Sequence, residues 1–163
     1  SAASSANDSH SIDAILQHAQ ACQSQTALQP GQLSSPFPHP FVTRSYGTRR
    51  HPIWRVVQLH AGVDLGNLTG TLGQPVLASA DALVVAIDNR IAYGTAIVLD
   101  HGGRIATVYG HLQSTTLSVG DVVSRGQTIG LAGSTGFSTG AHLHFEVRVN
   151  GQPVDPAAFV SVS

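Results

Sequence analysis

From Pro36 to the C-terminus, short runs of Val, Ile, Leu and Thr alternate with glycine-containing turns. Nine of these runs read as strands: Phe41–Tyr46, Val56–Leu59, Pro75–Ser79, Leu83–Asp88, Ala96–Asp100, Ile105–His111, Asp121–Val123, Thr128–Ala132 and His142–Val149. The turns include His101-Gly102-Gly103, Ser118-Val119-Gly120-Asp121 and Asn150-Gly151, and an Asn-Gly pair after a strand is a strong hairpin signal. Strands this short, with turns this regular, predict an all-β domain of antiparallel, sandwich-like sheets over residues 36–163, not a parallel α/β fold. Residues 1–35 differ in texture, being rich in Ser, Ala and Gln, and they read as an N-terminal arm or linker. Within them Ile12, Ile15, Leu16 and Ala19 have helical spacing, which predicts a short amphipathic helix over Ser11–Ala21. Such a helix is marginal alone in water, so its stripe is expected to dock on the β domain. His10, His18, Asp8 and Asn7 beside it raise the expectation that the arm reaches and blocks the site.

Composition narrows the chemistry. At 163 residues, 42% of them hydrophobic and 10% charged, the chain is long enough for one cored domain and is not a charge-rich disordered segment. A formal net charge of -1 carries no basic surplus for nucleic acid. No apolar run reaches the roughly 18 residues a membrane span needs. All eight basic residues are Arg, and the absence of Lys removes Schiff-base, pyridoxal-phosphate and phosphate-loop chemistry. The only Glu, Glu146, belongs to no helical H-E-x-x-H motif. One cysteine, Cys22, can form neither an internal disulfide nor a cysteine zinc site. Nine histidines remain, and they outnumber the arginines.

Three segments concentrate that histidine. In the strand Ala141–Val149, side chains alternate between faces. Ala141, Leu143, Phe145, Val147 and Val149 form a core face, and His142, His144, Glu146 and Arg148 share the other. Two imidazoles at i and i+2 lie roughly 7 Å apart and can serve one site, one as a ligand and the other beside it. An exposed polar face with two incidental histidines is the plain alternative. The second segment, His60-Ala61-Gly62-Val63-Asp64-Leu65-Gly66, brings an imidazole and a carboxylate together in a stretch too irregular for a helix. There Gly62 and Gly66 are expected to supply the backbone freedom for convergence. Added to the paired-histidine strand, it offers two nitrogens and one oxygen and leaves a fourth tetrahedral position open, the pattern of a catalytic zinc site. The third segment, Tyr109-Gly110-His111-Leu112, places His111 where an apolar strand turns.

In this order the three segments resemble the lysostaphin-like, LytM-type zinc metallopeptidases, whose pattern is H-x-G-x-D, a distant His, then H-x-H on a strand. The resemblance extends to Phe41–Pro52, to Gly133–Glu146 and to the closing Asn150–Pro156, about residues 41–160 in all. It implies a LytM-type peptidase fold, with one zinc per chain held by His60, Asp64 and His144. His111 and His142 are then the catalytic pair flanking the water that the metal activates. Imidazoles suit that work because their pKa lies near neutrality. The resemblance does not say which of the two is the base. Glu146 is expected either to orient a ligand imidazole or to form an exposed ion pair. The implied substrate is the stem-peptide cross-link of bacterial peptidoglycan, with D-Ala–diaminopimelate favoured over glycyl-glycine bonds by the Arg-x-His-Pro stretch. That implies a periplasmic or extracellular setting at the cell wall. Two other readings stand beside it: a non-catalytic relative that binds and activates a wall amidase, and a secreted antibacterial effector with the same chemistry. All five site positions are intact here, which favours the enzyme.

Overall fold

A computed structural model describes residues 32–90, 92–136, 138 and 140–160. The helix expected over Ser11–Ala21, and its docking, lie outside the described residues. In chain order the strands are β1 (Pro40–Arg44), β2 (Gly47–Arg50), β3 (Val57–His60), β4 (Val63–Asn67), β5 (Pro75–Leu77) and β6 (Ala82–Arg90). They continue as β7 (Gly94–Asp100), β8 (Ile105–Ser114), β9 (Val122–Val123), β10 (Thr128–Ala132), β11 (Leu143–Val149) and β12 (Gln152–Val154), followed by a 3-10 turn at Pro156–Ala158. Ten strands join one antiparallel sheet whose main path runs β1-β4-β11-β8-β7-β6-β9. From that path β12 extends β11, and β10 bridges β8 to β5. β2 and β3 form a separate two-stranded ribbon with exposed Ile53, Trp54 and Val57. No helix among the described residues is long and apolar enough to cross a membrane.

Alternation along β11 divides the sheet into two faces. Leu143, Phe145 and Val147 join Val63, Leu65, Ile97, Leu99 and Tyr109 in the main core. The opposite face carries His144, Glu146 and Arg148 beside the small residues Ala86, Val98, Ala106 and Val108. Leu33 also enters the main core, and Leu33 N donates to Phe159 O, so the folded unit takes in residues assigned to the arm by composition. The Asn150-Gly151 turn has positive φ at both residues, 52° and 78°, and closes the β11–β12 hairpin as the dipeptide predicts.

Three strands escaped the pattern reading. β2, Gly-Thr-Arg-Arg, has no apolar alternation because neither of its faces meets the core. β12 is three residues long and contains Pro153. β4 matters most, since it lies between β1 and β11 and is buried throughout. Its flanking glycines do not serve the purpose expected of them, as neither Gly62 nor Gly66 has a positive φ. Gly62 is required for space against backbone, while at Gly66 a side chain would meet only the end of the exposed Phe41 ring. A Cβ on Gly62 would sit 2.2 Å from Phe145 O, and one on Gly66 would sit 2.4 Å from Phe41 Cζ.

Candidate metal centre and acid–base pair

The sheet register brings the site together. β4 pairs with β11 so that Asp64 lies opposite His144, and β11 pairs with β8 so that His144 also faces Gly110. His60 ends β3, and the tight passage through Gly62 returns the chain into β4 with its ring over the same carboxylate. His60 Nε2 lies 3.2 Å from Asp64 Oδ1, and His144 Nδ1 lies 2.9 Å from that oxygen. His142 precedes β11 instead of belonging to it, is held by a bridge to Gly133, and sets Nε2 3.6 Å from Asp64 Oδ1. His111 reaches the group from β8, with its ring centroid 4.6 Å from that of His142. All five residues expected at the site therefore line one cleft of about 900 Å3, together with Tyr93 and Glu146.

A fixed hydrogen bond turns each imidazole. His60 Nδ1 is 2.9 Å from Ser45 O, His111 Nδ1 is 2.6 Å from Thr135 O, and His142 Nδ1 is 2.9 Å from Gly140 O. A carbonyl only accepts, so these three Nδ1 atoms each carry a proton, and it is Nε2 of each ring that faces the cleft. His144 is reversed. Its Nε2 donates to Glu146 Oε1 at 2.9 Å, which leaves Nδ1 for the Asp64 side. Glu146 is fully buried and also accepts from Tyr93 OH at 2.7 Å and from Arg148 Nε at 2.7 Å. Of the two readings open for Glu146, the buried partner that orients the His144 imidazole is therefore the one realised. An exposed ion pair is excluded.

The electrostatics suit a cation. Burial opposes charge on Asp64, but the hydrogen bonds and charges of His144 and His60 outweigh it and hold the carboxyl far below its ordinary range. Burial also opposes charge on His144, yet Asp64 and Glu146 on either side push its pKa up to about 9. Glu146 is likewise held low despite burial, chiefly by His144 and then Arg148. Two carboxylates that strengthen proton binding at His144 Nδ1 would attract a divalent cation to the same atom. At His111, burial dominates and lowers the pKa, so the ring is neutral at pH 7.

The donor set passes a test of fit. One atom each from His60, Asp64 and His144 falls within a 4.8 Å cluster. Tetrahedral zinc with bonds of about 2.0–2.2 Å spaces its ligand atoms by roughly 3.3 Å. The two short separations here, 3.2 and 2.9 Å, require only small adjustment. Nitrogen and oxygen donors from two His and one Asp, with each ring fixed by a second hydrogen bond, match what zinc takes.

Tyr93 and the carbonyls of Ser45, Thr135 and Gly140 complete the site with no signal in the sequence. Backbone acceptors leave no trace in residue identity, and Tyr93 lies in the β6–β7 connection, far in sequence from every motif. Elsewhere His51 is structural, accepting from the N–H groups of Ile53 and Trp54 at the tip of the ribbon.

Known proteins share both the sequence and the shape. A family model for Peptidase family M23 matches residues 58–156. The DD-carboxypeptidase/endopeptidase Mpg of Neisseria meningitidis is 41% identical over 117 residues, which cover 72% of this chain and 26% of that protein. The peptidoglycan DD-endopeptidase ShyA of Vibrio cholerae is 41% identical over 115 residues, covering 70% of this chain and 26% of that protein. Among solved structures, a zinc-containing peptidase from Vibrio cholerae superimposes with a TM-score of 0.70 at 33% identity, covering 79% of this chain and 39% of that one. The chain thus spans about a quarter of the length of the two curated relatives.

Proposed function

This chain belongs to peptidase family M23, and from that membership we propose that it is a zinc endopeptidase hydrolysing peptide cross-links of bacterial peptidoglycan at the cell wall. The observation that carries the proposal is the convergence of His60, Asp64 and His144 on one point, beside a second pair of histidines whose tautomers are fixed. The relatives named DD-endopeptidases support the D-Ala–diaminopimelate bond over glycyl-glycine.

In this reading His60 Nε2, Asp64 Oδ1 and His144 Nδ1 hold one zinc ion. Bound there, zinc would polarise the scissile carbonyl and lower the pKa of water toward neutrality. The remaining work falls to the chain. His111 and His142 donate from Nδ1 to fixed carbonyls, so Nε2 of each is a lone-pair acceptor in the cleft. One takes the proton of the attacking water and the other, once protonated, donates to the leaving amine or to the developing oxyanion. The rings are adjacent, so a proton needs to move only a short way between them. Asp64 Oδ1 lies 3.6 Å from His142 Nε2, so that ring stands directly beside the carboxylate that would hold the metal.

The test is digestion of purified diaminopimelate-type sacculi, with the products identified by mass spectrometry. The expected result is conversion of D-Ala–diaminopimelate dimers to monomers, abolished by a chelator and restored by zinc. Intact dimers after incubation with the zinc-loaded protein would overturn the proposal, and release only from glycine-bridged walls would reassign the bond.

A further inference from the structure

We propose that Tyr93 is a positioning residue that couples the metal-binding half of the site to the acid–base half; this rests on the zinc reading of His60, Asp64 and His144. Three of its groups point to separate parts of the site. The hydroxyl donates to Glu146 Oε1 at 2.7 Å, the same oxygen that accepts from His144 Nε2. Its ring stands edge-on to His144, with centroids 5.5 Å apart, and packs on Gly110, where an added Cβ would lie 3.4 Å from Tyr93 Cδ1. Its carbonyl accepts from the backbone N–H of His111 at 2.7 Å.

Each contact answers a physical need. Glu146 is fully buried, so its oxygens depend on donors from the protein. Arg148 Nε supplies Oε2, whereas Oε1 is shared by His144 and the Tyr93 hydroxyl. With the hydroxyl in place Oε1 is pinned, and the His144 ring it accepts from is held with Nδ1 toward Asp64. Without the hydroxyl, Glu146 is held on that side by His144 alone, and the ring gains freedom to turn away from the ligand geometry. The carbonyl contact serves the other half. His111 has φ of 60°, a left-handed conformation that side-chain-bearing residues rarely adopt. The hydrogen bond from its N–H to Tyr93 O helps keep the kink that sends the imidazole into the cleft.

Replacement by Phe separates these contacts, because it keeps the ring and the carbonyl and removes only the hydroxyl. Tyr93→Phe is expected to weaken zinc affinity by roughly tenfold or more, the scale for loss of a partner that orients a metal ligand. The hydroxyl acts through Glu146, so adding Tyr93→Phe to Glu146→Gln should change affinity by no more than about twofold, the non-additivity of coupled groups. Zinc affinity is read by competition with a chromogenic chelator. In the wild-type protein the ring resonances of Tyr93 should shift when zinc is added, a measurement that needs no variant to fold. Wild-type zinc affinity in Tyr93→Phe, an equal effect with and without Glu146→Gln, or ring resonances indifferent to zinc would each overturn the inference. A wild-type protein that binds no zinc, or a His144→Ala variant that keeps it, would overturn the metal reading and the inference with it.

Discussion

His111 holds its ring in the cleft with its backbone at φ of 60°. A left-handed conformation costs a side-chain-bearing residue on the order of 1–2 kcal/mol, and glycine is spared it. His111→Gly should therefore be more stable than His111→Ala by about 1 kcal/mol, as read from denaturant midpoints, although both lose the imidazole. The site histidines should divide by role. His60→Ala, Asp64→Ala and His144→Ala should lose zinc on dialysis. His111→Ala and His142→Ala should keep it, with turnover reduced by about 10²-fold or more. Metal analysis beside peptide hydrolysis separates the two groups, and zinc lost from His142→Ala would move that residue among the ligands. The gathering of these five residues in one cleft was legible because their spacing repeats a known family's. Glu146 was half legible, since alternation put it on the face of His144 but could not tell a buried acceptor from an exposed pair. Tyr93 was not legible, because its role arises only when the β6–β7 connection is folded against β11.

At the scale of strands, the site depends on how closely β4 approaches β11. His60 and Asp64 read in sequence as one irregular stretch, but they are the end of β3 and the second residue of β4. Gly62 between them has Phe145 O 2.2 Å and Glu146 Cγ 2.8 Å from where a Cβ would be. The nearer of these is backbone of a central strand, so a methyl group cannot be accommodated by rotating a side chain. Gly62→Ala should therefore push β4 from β11, costing about 1–3 kcal/mol as other overpacked sites do. It should also separate Asp64 from His144 and lower zinc affinity while every ligand remains present. Unchanged stability and affinity together would show that the two strands do not need this contact. The nine runs of β-forming residues each correspond to a strand, most of them because burial on one face imposes a pattern, whereas β3 and most of β1 are exposed and were legible from β-forming residue types alone. β2 and β12 carry no such pattern, being exposed or too short, and β4 is cut by the glycine and aspartate its position demands.

Across the whole molecule, the core face of the sheet carries its own buried polar chain. Ser79 N–H donates to Tyr109 OH, which meets Thr107 Oγ1 at 2.9 Å, and Thr107 Oγ1 meets His101 Nε2 at 2.7 Å. His101 Nδ1 closes the chain on Asp81 O at 3.0 Å. This path ties the β5–β6 connection, the β7–β8 turn and β8 together through one imidazole. Nδ1 faces a carbonyl and so carries the proton, which leaves Nε2 to accept from Thr107, as a neutral ring requires. Burial dominates at His101 and lowers its pKa below 6.5, while Asp81 and Asp100 pull upward and Arg125 pulls down. Below pH 6.5 the unfolded chain takes up a proton at this residue more readily than the folded one, so stability falls with pH. His101→Gln keeps a donor for Asp81 O and an acceptor for Thr107 but does not titrate. It should be the less stable protein at pH 8, and its deficit should shrink as pH falls below about 6.5. The other histidines are common to both proteins, so the difference between their unfolding free energies isolates His101. Denaturant unfolding at a series of pH values from 8 to 5 supplies that difference, and a constant gap across the series would show that the ring titrates alike in the folded and unfolded chains.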